Sequence, residues 1–116
     1  MNYPKSLKIG HLDYALNEID AGNIPGASGL FHMGSGQILL ANDMDGGYAV
    51  KVLLHEVLHG IWGHYSMDDG SLNEERIVDT FANGLCTVIR DNPGFAAWLA
   101  EHLEKSQSAS SALGAP

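Results

Sequence analysis

Cysteine is nearly absent from this sequence, and positive charge is scarce. Cys86 is the one cysteine among 116 residues, which excludes an internal disulfide and a thiolate-rich zinc cage. Six Lys+Arg stand against fourteen Asp+Glu, a formal charge of -8. A chain this acidic repels phosphate backbones and anionic headgroups, so neither nucleic acid nor a membrane is expected as a partner. No apolar run approaches the roughly 18 residues of a transmembrane helix. Residues Met1–Lys8 lack the apolar segment of an export signal, and with a single thiol a cytoplasmic setting is the expectation. What remains is a chain 45% hydrophobic, enough for one packed core and too short for two. Histidine is the residue in excess: there are six, as many as Lys and Arg together.

The first third of the chain reads as strands and turns. Ser6–Ile9 alternates in polarity and is broken by Gly10. Leu12, Tyr14 and Leu16 follow close to period two, so His11 to Ile19 is read as a strand, although Leu16–Ile19 also suits a helix. Residues 20–26 have loop composition. Ser28–Met33 and Gln37–Ala41, separated by Gly34-Ser35-Gly36, form a hairpin pattern. The remainder reads as helices. Val50, Leu53, Leu54, Val57, Leu58 and Ile61 fall on one helical face, with Gly60 and Gly63 marking an end near His64. Ser71-Leu72-Asn73-Glu74 matches a capping box. It opens a second helix, with Val78, Phe81, Ala82, Leu85 and Ile89 as its expected buried stripe. Asn92-Pro93 ends that helix and starts a third, faced by Phe95, Trp98, Leu99, His102 and Leu103. A single domain over residues 1–104 is expected, followed by a Ser/Ala-rich flexible tail over residues 105–116.

The central helix carries His55-Glu56-Val57-Leu58-His59, the H-E-x-x-H pattern. Residues four apart stack one turn above each other, so both imidazoles can reach one metal ion. Zinc suits imidazole nitrogen and acidifies water that it binds, and the intervening carboxylate can take the proton as general base. The Glu56 carboxylate lies in an otherwise apolar stretch, which is costly without a partner or a task. A zinc site needs a third protein ligand. Trp62 and Tyr65 occupy the positions where a longer His-rich motif requires Gly and His. The candidates are then His64 and Glu75. Glu75 is preferred, because Asp79 one turn later can accept the N–H of a ligating histidine. His11, His32 and His102 read as surface or interfacial histidines, Cys86 as a buried inert thiol, and Asp68-Asp69-Gly70 as a turn.

His55-Glu56-Val57-Leu58-His59 followed by Glu75-Arg76-Ile77-Val78-Asp79 resembles the gluzincin arrangement of zincin metallopeptidases. The run from Val52 to Ile61, with Glu74–Asp79 and Ala82–Leu85, is similar to small phage and prophage zincin-like proteins, distantly like the ImmA/IrrE metallopeptidases. The resemblance spans roughly residues 37 to 91. It implies an α+β zincin-like domain: a small antiparallel sheet on a metal-binding helix, with one or two further helices. It implies Zn2+ held by His55, His59 and Glu75, with Asp79 behind them. Gln37–Ala41 would be an edge strand above the cleft, to which an extended peptide or protein segment could add. Glu56 would be the catalytic base. An oxyanion donor is expected among His64, Tyr65, Tyr48 and His32, with His64 and Tyr65 placed first because they leave the metal helix directly. The alternative is a binding, regulatory or phage-assembly protein of the same shape, whose metal is structural.

Overall fold

The computed structural model describes residues 1–24, 26–67 and 69–112, with side chains as far as Leu103. Alternating polarity makes the strands. β1 (Ser6–Ile9) buries Leu7 and Ile9 and turns through Gly10, whose φ of 63° suits a two-residue hairpin, into β2 (Leu12–Ile19). β2 is strand throughout, including the ambiguous Leu16–Ile19. A 3-10 turn at Ala21–Asn23 then leads to β3 (Gly29–His32) and β4 (Gln37–Ala41). β3 and β4 form the expected antiparallel hairpin.

The strand order is β1-β2-β4-β3, and β2 pairs with β4 in parallel, from Ala15↔Gln37 to Ile19↔Ala41. The sheet is therefore mixed rather than antiparallel throughout. Parallel neighbours need a crossover, and residues 20–36 supply one by carrying the chain to the far side before the hairpin returns. The same route overturns the expected edge. β4 is an interior strand, with Ile38, Leu40 and Ala41 buried, and β1 and β3 are the edges, β3 being the one beside β4.

Three helices complete an α+β fold. α1 (Gly46–His64) buries Ala49, Val50, Leu53, Val57 and Ile61 against the sheet side chains Leu7, Ile9, Tyr14, Ile38 and Leu40, while Leu54 and Leu58 of the expected face are half-buried and exposed. Gly60 and Gly63 lie inside its last turns rather than beyond them. A Cβ at Gly60 would stand 3.0 Å from both Ile9 and Phe31, so its absence lets the sheet close onto the helix. α2 (Glu74–Asp91) is capped by Asn73, whose side chain accepts from the Arg76 N–H at 2.9 Å. The capping box expected at Ser71 is not used: the Ser71 hydroxyl donates to Asp69 instead. Asp69 also accepts from the Ser71 N–H and from Arg76, making the expected turn; Asp68 lies outside the described residues.

α2 is rotated from its expected face. Gly84 and Val88 are buried and Phe81 and Leu85 partly so, whereas Val78, Ala82, Cys86 and Ile89 are exposed. The reason is Gly84: a Cβ there would meet Ile61 at 2.6 Å, so the glycine is the point where α2 touches α1. Asn92 does not cap the next helix with its side chain. It accepts from the Lys8 N–H and donates to the Lys8 and Val88 carbonyls, tying β1 to the end of α2. α3 (Phe95–Ala112) buries Phe95, Trp98 and His102 and packs along α1. His102, expected to be at the surface or interfacial, is buried: it stacks on Trp98 and bonds the Trp98 carbonyl. The α3 backbone stays helical into the segment read as a tail, as far as Ala112. Residues 113–116 of that segment lie outside the described residues. Among the described residues no helix is long and apolar enough to cross a membrane.

Candidate functional site

α1 presents two stripes. The apolar one faces the sheet. On a second, Lys51, His55, His59 and Gly63 recur every four residues and stack along the helix. This stripe and the edge strand β3 wall a cleft of about 640 Å³. The His55 and His59 rings meet edge to face at 4.8 Å, with their Nε2 atoms 3.2 Å apart. That is the contact of a hydrogen-bonded imidazole pair; two tetrahedral zinc ligands with bonds of 2.0–2.1 Å would have nitrogens at nearly the same separation, about 3.3 Å.

Glu56 lies between the stripes and is 5% exposed. β3 covers it at Gly29, where a Cβ would come within 3.0 Å of Glu56 Oε2 and 2.9 Å of Val52 Cγ1. Burial pushes the Glu56 carboxyl above its ordinary pKa, while His55, His59 and a main-chain hydrogen bond from Phe31 act in the opposite direction. A carboxyl in this setting holds a proton more readily than one in water. At the mouth of the cleft the Tyr48 and Ser28 hydroxyls are hydrogen-bonded at 2.9 Å, joining the first turn of α1 to the loop before β3. A second groove, apolar and about 390 Å³, lies on the other flank of the histidine pair and is lined by Leu58, Trp62 and Phe81.

The structure does not bring His64 or Tyr65 to this cleft. His64 follows His55 by nine residues, which turns it roughly 180° around the helix. Its Nε2 is 2.7 Å from the buried Tyr14 hydroxyl, and its ring packs against His11 and Gly10. Burial first, then His11, hold the His64 imidazole below its ordinary pKa. Tyr65 caps the end of α1, and its carbonyl accepts from Arg76. Glu75 and Asp79 are both exposed. They lie roughly 120° and 160° around α2 from Phe81, the α2 residue that lines the second groove together with the histidine pair. Asp79 accepts from Asn83 at 3.4 Å. Among the described residues no group of three or more His, Cys, Asp or Glu is gathered where it could hold a metal. His11 and His32 are exposed, and His32 Nδ1 accepts from the Ser35 N–H in the β3–β4 turn.

Gly29, Phe31, Lys51 and Val52 are not singled out by the sequence. Their importance depends on which strand forms the edge, and the one available signal was Gly29 opening an otherwise apolar strand. In comparisons with known proteins, no family model matches the chain, and no curated protein or solved structure is detectably similar to it.

Proposed function

We propose that the protein is a zinc-dependent hydrolase of peptide bonds. His55 and His59 would hold the ion, Glu75 would be the third donor with Asp79 behind it, and Glu56 is the general base. The observation that carries this reading is the 3.2 Å separation of the two imidazole nitrogens beside a buried carboxylate. Bound there, zinc would supply Lewis acidity toward a carbonyl and toward water. Glu56 takes the proton of the attacking water and passes it to the leaving amine; its raised pKa suits both transfers. The Phe31 main chain holds the carboxylate toward the cleft.

The outer edge of β3 offers main-chain groups to an extended substrate segment, which would add as a further strand. Of the candidate oxyanion donors Tyr48 alone lines the cleft, about 10.5 Å before His55 along α1 and with its hydroxyl on Ser28. Glu75 is kept above His64 because His64 Nε2 is already engaged by Tyr14. On this reading the chain belongs with the small phage and prophage zinc peptidases that its sequence resembles, acting in a cytoplasm, a host's if phage-encoded.

The test is zinc content by elemental analysis, run beside digestion of an unfolded protein. Wild type is expected to hold one zinc per chain, His59→Ala and Glu75→Ala to lose it, and His64→Ala to keep it. Glu56→Gln is expected to keep zinc and lose cleavage. Zinc lost in His64→Ala but kept in Glu75→Ala would overturn the choice of third donor. A wild type that holds zinc yet cuts nothing would overturn the hydrolase reading.

A further inference from the structure

We propose that Lys51 makes the cleft selective for peptides carrying a carboxylate about two residues from the histidine pair. This deepens the peptidase reading and rests on it for the direction in which the peptide lies. The chain has six Lys+Arg, and Lys51 is the one that lines the cleft. It stands one turn before His55 on the same stripe of α1. Among the described residues it forms no ion pair. Its Nζ lies 5.9 Å from the centroid of the Tyr48 ring, at the outer limit of a cation–π contact. In a chain of charge -8, a lysine without an acidic partner, facing a cleft, is an anion site set against a repelling background.

The distance defines the position. Four helical residues advance about 6 Å, and an extended peptide advances about 3.3 Å per residue. A carboxylate on Lys51 therefore lies about two residues from a bond held at His55 and His59. A side chain of Asp or Glu and a free chain terminus carry the same chemistry, and the cleft would accept either. The global charge works the other way, favouring cationic peptides, so any preference for an acid must come from Lys51.

Calorimetry with chelator-treated protein at physiological salt measures binding without cleavage. Four peptides of one sequence separate the cases: Asp, Asn and Lys versions with amidated ends, and the Asn version with a free carboxyl terminus placed two residues from the centre. The Asp peptide is expected to bind about fivefold tighter than the Asn peptide, the scale of one exposed ion pair. The preference should vanish in Lys51→Gln and reverse toward the Lys peptide in Lys51→Glu. The free-terminus peptide shows whether a terminal carboxylate serves as well as a side chain. Equal binding of the Asp, Asn and Lys peptides to wild type, or a preference unchanged in Lys51→Gln, overturns the inference. The zinc-loaded protein is then offered the same peptides. Cleavage with no dependence on Lys51 leaves the peptidase reading standing and sinks this one. Lys51-dependent binding without any cleavage does the reverse.

Discussion

Gly29→Ala tests the close approach of β3 to α1 on which the cleft depends. The added Cβ would lie 2.9 Å from Val52 Cγ1, and 3.0 and 3.2 Å from Glu56 Oε2 and Cγ. Ordinary carbon contacts are about 3.5–4.0 Å, so the strand must withdraw by about 0.6 Å or the Glu56 carboxylate must swing aside. β3 is paired on one side only, which lets it move. Overpacking of this kind costs about 1–3 kcal/mol. For a domain of this size 1 kcal/mol is about 4 °C, so the melting temperature should fall by about 4–12 °C. Circular dichroism melts in chelator at neutral pH measure it. Gly94→Ala is the control: no atom lies within 4 Å of its Cβ position, and it should match wild type or gain slightly. Val52→Ala removes the closest clashing atom, so Gly29→Ala should cost less in that background, by at least about 0.5 kcal/mol. Gly29→Ala melting together with Gly94→Ala, or full additivity with Val52→Ala, would refute the argument.

Three further outcomes follow from particular contacts. Glu56 has a raised folded pKa, so its favourable contribution is complete below its ordinary value of 4.5 and is lost as pH rises through the folded value. Without metal, Glu56→Gln should therefore match wild type near pH 4 and melt above it at pH 7.5; coincident curves at both would contradict the burial. His64 has a lowered folded pKa, so its contribution is complete above 6.5 and is lost as pH falls below that. His64→Gln should accordingly flatten the decline in melting temperature between pH 7 and pH 5, and an unchanged slope would count against it. Asn92→Ala removes one accepted and two donated hydrogen bonds and should cost about 2–3 kcal/mol in denaturant unfolding. Asn92→Asp, which cannot donate to the two carbonyls, should not rescue it; full stability of the Asp variant would show that the donated bonds matter little.

Local pattern revealed the elements better than their arrangement. The α1 periodicity, the β3–β4 hairpin and the His-Glu-His spacing are all short-range, and each was legible. The β2–β4 pairing was not, because a parallel register depends on where a crossover delivers the chain. Gln37–Ala41 reads as an edge strand for the same reason, although it lies inside the sheet. On α2, residues Val78, Ala82 and Ile89 look as suitable for burial as Gly84 and Val88 do. The decision was made by Ile61, a residue on another helix that needs the room a glycine leaves. The stripe of His55 and His59 was visible from spacing alone, but the cover over Glu56 required knowing that Gly29 lies across from it. The exposed Cys86 follows from the same rotation of α2.

The hydrogen bonds from Asn92 to Lys8 and from Trp98 Nε1 to the Asn2 carbonyl join the first few residues to positions more than eighty along the chain. The cleft, by contrast, is built from the contiguous stretch between Gly26 and Gly63. Closing a long loop is entropically slower than closing a short one. The hairpin and α1 can therefore meet first, as a folding unit that already contains the histidine pair, and the clasp at the chain ends closes afterwards. Native-state hydrogen exchange would then find the seam that joins residues 2–8 to Asn92 and Trp98 opening at lower free energy than the β3–α1 contact. Changes near the chain ends would alter the lifetime of the folded state while leaving the shape of the cleft intact.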